Sequence, residues 1–239
     1  MGGWPFWSIL VLLLGSRPSS AMETAQAISE SLLDAYGPTS LRPQLSSANS
    51  LNHLQCTISP PEEIRVQTYI EKYYELDMQG GSFSIDGYLR VWWSDPRLRF
   101  NGTEDGGCVD KLSFGESERA RIWKPILYWE GAQDIIMPSV GKGTGELLEV
   151  YPDGSVWWSR QAHFTLACPF AANLGRMPFD TQTCNFMVGM YADTALDSQL
   201  RWKEGRVALA NHDGTACLNE WFVTGFSQAQ LVEKAVYPV

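Results

Sequence analysis

Basic side chains are scarce in this chain. Eighteen Lys and Arg stand against 27 Asp and Glu, a formal charge of −9. Binding a nucleic-acid backbone needs a basic face, so no nucleic-acid partner is expected. Histidine is scarcer still. His53, His163 and His212 are scattered, with no metal-ligand spacing to one another or to the cysteines, so no metal and no cofactor is expected. Motifs that carry chemistry are also missing. There is no G-x-G-x-x-G, no P-loop, no G-x-S-x-G, and no Ser/His/Asp order with an oxyanion motif, so the chain does not read as an enzyme. Acidic doublets such as Glu62-Glu63 read as solvated. No run of about 20 apolar residues is present, so no transmembrane domain is expected, and any membrane contact falls to a region beyond the chain.

What is present is apolar and aromatic. Hydrophobic residues make up 44% and aromatics 12%, with ten Trp, ample for a packed core in one large all-β domain. Residues 1–21 read as a secretory signal: the apolar run Ile9–Leu14 precedes Gly15, Pro18, Ser19, Ser20 and Ala21. Cleavage fits after Ala21 or, in A-Q-A, after Ala27. Export makes disulfides available to Cys56, Cys108, Cys168, Cys184 and Cys217, an odd set that leaves at least one free or paired between chains. Asn101-Gly102-Thr103 is the only glycosylation sequon, in a Gly/Asp-rich loop.

Ile28, Leu32, Leu33 and Tyr36 have helical spacing, closed by Gly37-Pro38. After Pro61 the period becomes two: Ile64, Val66, Thr68 and Ile70, then Phe83, Ile85, Gly87, Leu89 and Val91. Further strands are expected at 147–151, 156–168, 184–191, 200–209 and 221–226, with Pro152-Asp153-Gly154 as a turn. The pattern predicts an antiparallel, immunoglobulin-like β-sandwich with a short N-terminal helix, over residues 28–239.

Four short runs are more specific. They are Trp93-Ser94-Asp95-Pro96-Arg97-Leu98; Ile122-Trp123-Lys124-Pro125; Asp153-Gly154-Ser155-Val156 followed by Ser159 and Thr165-Leu166-Ala167-Cys168; and Pro178-Phe179-Asp180-Thr181-Gln182-Thr183-Cys184. In this order they resemble the ligand-binding domain of Cys-loop, or pentameric ligand-gated ion channel, receptors, nearest in look to the glycine and GABA receptor branch. The likeness runs from about Ile28 to the end of the chain. Two departures stand out. Ile126 replaces the Asp that usually follows I-W-K-P. Fifteen residues separate Cys168 from Cys184, two more than in most animal members, with Leu174-Gly175-Arg176 near the insertion.

The resemblance implies the rest. It implies a neurotransmitter-gated channel subunit whose extracellular domain binds a small agonist, an amine or amino acid, between like subunits of a homo- or hetero-pentamer. It pairs Cys168 with Cys184, a link worth about 3 kcal/mol on the chain-entropy account. It puts Met177, Pro178, Phe179 and Asp180 against the membrane domain, where agonist-driven motion passes to the pore. It aligns Tyr88, Tyr128, Trp129 and Tyr191 with the site's aromatics, which attract amines by cation–π contact. Arg90 and Ser159 match the residues that hold the ligand carboxylate, a task suited to a planar fork. Gln161 stands where the family has a second Arg, and Glu130 is placed to pair with an ammonium. The chain stops near the capping loop C, short of the family's last strand. Two other readings fit the pattern: a secreted ligand-binding protein of the same fold, like acetylcholine-binding protein, and a lectin-like or adhesion sandwich. Reading past Val239 for hydrophobic spans separates the first from a channel.

Overall fold

The computed structural model describes residues 20–43, 60–103, 108–137, 145–168, 174–176, 179–184 and 187–203, with short strand segments at 208–209, 217–218 and 221–222. Residues 1–19, which hold most of the expected leader, and 223–239, where the capping loop was expected, lie outside them. Helix α1 (Ser20–Ala35) starts eight residues before Ile28 and so runs through both Ala21 and Ala27. It lays Ala25, Ile28 and Leu32 on the core, buries Leu33, and delivers Tyr36 just past its end.

The main sheet is built on a hairpin. Strands β1 (Glu62–Asp77) and β2 (Ser82–Ser94) pair antiparallel, Arg65 with Trp92 through Asp77 with Ser82. Their turn is set by Asp77, whose carboxylate accepts the Gln79 and Gly80 N–H groups at 3.0 and 2.8 Å, and by Gly81 at φ +67°. A bulge follows Ile70, and there β1 comes so near that a Cβ on Gly87 would lie 2.1 Å from the Tyr69 carbonyl. Only glycine fits such an approach. Strand β7 (Ser155–Ala167) then pairs with β2 without a break from Ser82–Ala167 to Ser94–Ser155.

Strands β3 (Leu112–Ser113), β5 (Ala132–Ile136) and β6 (Glu146–Val150) extend the sheet beyond β7, while β9 (Ser198–Trp202) and β10 (Ala208–Leu209) lie parallel to β1. A single helical turn, α2 (Glu116–Arg119), follows β3. Strands β4 (Leu127–Glu130) and β8 (Met187–Met190) form a second sheet, and β11 (Cys217–Leu218) pairs with β12 (Trp221–Phe222). The fold is therefore a mostly antiparallel β-sandwich with an N-terminal helix. Its core, including Ile64, Val66, Leu89, Val91, Leu148 and Phe164, comes from the residues that alternate inward on the long strands. Trp129 of β4 closes the other side, its ring 4.7 Å from that of Phe164.

Several expectations are corrected. The stretch 200–209 holds two strands rather than one, and among the described residues of 184–191 the strand is Met187–Met190. Glu62 is not solvated: it is 1% exposed, while Glu63 faces water. The strand's period of two puts adjacent residues on opposite faces, so one acid of the pair points inward. Its charge lies within reach of Arg97.

Asp95 ties the upper end of the sandwich together. It is fully buried, and Arg97 grips it with a fork, Nε to Oδ1 at 2.9 Å and Nη2 to Oδ2 at 2.7 Å. The Tyr36 hydroxyl donates to Oδ2 at 2.6 Å and accepts from the Trp123 N–H at 3.0 Å, and its ring lies 4.0 Å under the Arg97 guanidinium. Burial, then the Asp95 charge, hold the Tyr36 hydroxyl far above its ordinary pKa, so it stays a donor. The Asp153-Gly154 turn docks here: Asp95 N–H bonds the Gly154 carbonyl at 2.8 Å. Gly154 sits at φ +82°, and a Cβ there would meet the Asp95 carbonyl at 2.7 Å. Replacing Asp95 by Ala leaves Arg97 charged, mostly buried and unpaired, and is expected to cost ~3–5 kcal/mol. Tyr36→Phe removes only the hydroxyl's bonds, at ~1–2 kcal/mol. Urea unfolding followed by Trp fluorescence measures both. Equal losses in the two variants would mean that the ion pair is not the dominant element.

Candidate functional site

The residues expected to hold a carboxylate stand together on the outer face of the main sheet. On β2 the odd-numbered Leu89, Val91 and Trp93 turn into the core, leaving Tyr88, Arg90 and Trp92 half-buried on the other side. Across β7, Arg90 faces Ser159 and Tyr88 faces Gln161. Across β1, Arg90 faces Gln67 and Tyr88 faces Tyr69. Sequence reasoning did not single out Gln67 or Tyr69, yet both touch the guanidinium. Tyr69 lies flat against it, 4.4 Å from ring centre to Cζ, and Gln67 Oε1 accepts from Nη1 at 3.4 Å. Arg90 Nε is buried and has no hydrogen-bond partner. The arrangement seats a cationic fork over a ring without an ion pair among the described residues, which suits a carboxylate. Ser159, the cross-strand neighbour of Arg90, is buried at 7% exposure.

The other aromatics divide between the two faces of β4. Tyr128 and Glu130 point out, and Trp129 between them is buried on Phe164. Alternation along the strand decides this, and it turns Trp129 into the core. Tyr128 meets Tyr191 edge to face, with ring centres 6.5 Å apart. Gly189 makes that possible: Tyr128 and Gly189 are cross-strand partners, and a Cβ on Gly189 would lie 2.5 Å from the Tyr128 ring. Tyr191, 75% exposed, is held by its N–H on the Ile126 carbonyl at 2.9 Å. Ile126, where the family has Asp, contributes that carbonyl and an exposed side chain. No described contact joins this aromatic pair to the Arg90 group, and the two stand on different sheets.

The run before Tyr128 is anchored as well. Trp123 packs edge-on against Trp93, ring centres 5.9 Å apart. Lys124 Nζ bonds Glu146 Oε1 at 2.8 Å, and the same oxygen accepts the Trp158 indole N–H at 2.6 Å. Arg119 Nε lies 3.8 Å from the other oxygen.

At the opposite end of β2, Cys168 and Cys184 form a disulfide. The Cys168 N–H donates to the Gly81 carbonyl at 2.7 Å, tying the loop's base to the β1–β2 turn. Inside the loop Leu174–Arg176 make a 3-10 turn, at the place where the extra residues were expected, and Phe179 N–H caps it on the Arg176 carbonyl. The Phe179 side chain is 89% exposed, and Asp180 accepts from the Gln182 amide at 2.6 Å. Met177 and Pro178 lie outside the described residues. Elsewhere, Asn101 is exposed with its Oδ1 accepting from Thr103, and Cys108 is exposed and unpaired among the described residues. Cys56 lies outside them, as does the side chain of Cys217. Also among the described residues, no helix is long and apolar enough to cross a membrane.

Comparison with known proteins agrees with this geometry. The family model described as "Neurotransmitter-gated ion-channel ligand binding domain" matches residues 28–237. The glutamate-gated chloride channel of Drosophila melanogaster is 29% identical over 150 residues, 61% of this chain and 30% of that protein. The gamma-aminobutyric acid receptor alpha-like protein of the same organism is 28% identical over 151 residues, 63% of this chain and 21% of that one. The human gamma-aminobutyric acid receptor subunit rho-3 is 26% identical over 172 residues, 70% of this chain and 34% of its own length. The chain thus spans about a third or less of these relatives.

The Lys124–Glu146 pair has a pH signature. Burial opposes the charged form of Glu146, but the bond and charge of Lys124, with the Trp158 N–H and the Arg119 charge, together hold the carboxyl below its ordinary 4.5. A depressed carboxyl stabilises the fold fully above the unfolded value, and that contribution is lost as pH falls through the folded one. Lys124→Met is therefore expected to be less stable at pH 7, with the deficit narrowing below about pH 4.5. Thermal melts of both proteins between pH 7 and pH 3 measure this, and a constant deficit would count against it.

Proposed function

The chain belongs to the neurotransmitter-gated ion-channel ligand-binding domain family, and from that premise we propose that it reads an amino-acid agonist for a pentameric channel. The observation that carries the proposal is the seating of Arg90: a guanidinium over the Tyr69 ring, in cross-strand register with Ser159, with no ion pair to a carboxylate among the described residues. The ligand's acid group binds there. Its ammonium binds the Tyr128–Tyr191 pair, with Glu130 on the same face of β4. Because these two half-sites stand on different sheets, one complete site takes Arg90 from one subunit and the aromatic pair from its neighbour. Glutamate and gamma-aminobutyric acid, named by the relatives, both carry the required acid and amine.

The same premise puts the domain on the extracellular side of the membrane after removal of the leader, with glycan on Asn101, and gives it a binding role and no catalysis. Transmission follows the long strand. Arg90 and Tyr88 stand on β2, whose other end, Ser82, adjoins the Cys168 anchor. Eight residues of extended chain span roughly 27 Å. A shift of β2 on agonist closure therefore moves the base of the disulfide loop, and with it Phe179, Asp180, Met177 and Pro178, which press on the pore-forming region.

Arg90→Gln keeps a polar amide on a shorter side chain and removes the charge and the fork. It is expected to weaken 4-aminobutyrate by about thirtyfold, ~2 kcal/mol, while Tm changes little. Radioligand binding to the whole protein, with a thermal melt as control, measures it. Unchanged affinity in that variant would sink the assignment of Arg90.

A further inference from the structure

One buried carboxylate joins the two parts of the chain that carry the half-sites. Glu146 opens β6, and its side chain is only 9% exposed. Three groups converge on it. The Lys124 ammonium donates to Oε1 at 2.8 Å, the Trp158 indole N–H donates to the same oxygen at 2.6 Å, and Arg119 Nε lies 3.8 Å from Oε2. Lys124 Nζ is also 5.7 Å from the centre of the Trp158 ring, so an acid and a ring hold the ammonium together. Arg119, at the end of α2, donates in turn to the Phe114 carbonyl at 2.9 Å.

Each side of the pair leads to one half-site. On the sheet side, Glu146 adjoins Leu147, Leu147 faces Ser159 on β7, and Ser159 faces Arg90 on β2. Two strand spacings, about 10 Å, therefore connect β6 to the strand of the guanidinium. On the other side, Lys124 stands four residues before Tyr128. Pro125 stiffens the chain between them: its ring locks its own φ and confines Lys124 to extended backbone. Ile126 holds Tyr191 through its carbonyl at 2.9 Å, while its own side chain is 59% exposed. Both tyrosines thus depend on a segment whose charged fastening is Lys124.

Stability alone is a poor reason for such a pair. Desolvating two charges cancels much of what their attraction returns, and an uncharged pair of similar volume often does as well. What the ion pair adds is a fixed length and direction. We infer that Glu146 is a positioning residue of the agonist site: through Lys124 it sets the Tyr128–Tyr191 pair in a fixed place relative to the sheet that carries Arg90. This rests on the reading of the two tyrosines as the seat of the ammonium. A ring pair held too loosely meets the ammonium at the wrong distance, and the site loses affinity while the fold remains.

The test is saturation binding of radiolabelled 4-aminobutyrate to the whole protein, which reads Kd and the number of sites separately, with a thermal melt of each variant. Lys124→Met strands a buried carboxylate. Lys124→Met combined with Glu146→Gln removes both charges and keeps an amide oxygen for the Trp158 N–H. Both are expected to raise Kd about tenfold with the number of sites unchanged, although the double variant melts closer to the wild type. Lys124→Arg keeps the cation and is expected to stay within about threefold of the wild-type Kd. Affinity that returns together with Tm in the double variant would make the pair a structural one and overturns the inference. So does an unchanged Kd in both variants, or a Lys124→Arg variant as weak as Lys124→Met. Tyr191→Ala, at an exposed position, reports separately on the underlying reading. Weakened binding there supports it, and unchanged binding removes it and the inference together.

Discussion

A single buried charge organises the upper half of this molecule. Asp95 has no exposure, and a carboxylate in that position is tolerable only with its partners in place. It recruits them from three separate stretches of chain: Arg97 from its own turn, Tyr36 from the end of α1, and the Gly154 turn by way of its backbone. Trp123 joins through the same tyrosine hydroxyl. The W-x-D-P-R-L, I-W-K-P and D-G-x-V runs are far apart in sequence, yet they are the parts of one hydrogen-bonded node. That physical identity explains why they occur together.

Much of this was legible in the residues. The inward positions of β1 and β2 follow the period of two, and Ile64, Val66, Ile70, Leu89 and Val91 are buried as that period requires. The helix stops before Gly37-Pro38 and the 152–154 turn forms where the punctuation put them, though the helix begins eight residues before its apolar period; the Cys168–Cys184 link is the one implied by the family resemblance. What stayed hidden was cross-strand register. Nothing local says that Arg90 will face Gln67 and Ser159, or that Tyr69 will lie under its guanidinium, because those neighbours are chosen by pairing between distant segments. The outward alternation of Arg65, Gln67 and Tyr69 was available as a signal, but only once β1 is known to adjoin β2. Glu62 was misjudged for a related reason: it was taken with Glu63 as a unit, whereas an extended chain sends adjacent residues to opposite faces.

Glycine marks the places where the function needs backbone or ring to come close. Gly87 lets the bulged β1 approach β2 beside Tyr88, and Gly189 gives the Tyr128 ring its seat against Tyr191. Neither has a positive φ, so conformational freedom is not the reason; space is. Gly154 differs, since both its φ and its contact with the Asp95 carbonyl exclude a side chain. Two of these glycines serve the candidate site, and the third serves the node that holds the sandwich above it.

The electrostatics of the outer sheet face run against the grain of the chain. An acidic protein has carboxylates to spare, and it uses them on Arg65, Arg97, Lys111 and Lys124, while Arg90 receives an aromatic ring instead. An aromatic face steadies a cation without neutralising it, so the charge stays available to an incoming anion. A carboxylate at the same distance would compete with the ligand directly. Among the described residues, Arg90 therefore keeps its charge beside a ring, where a neighbouring carboxylate would have cancelled it.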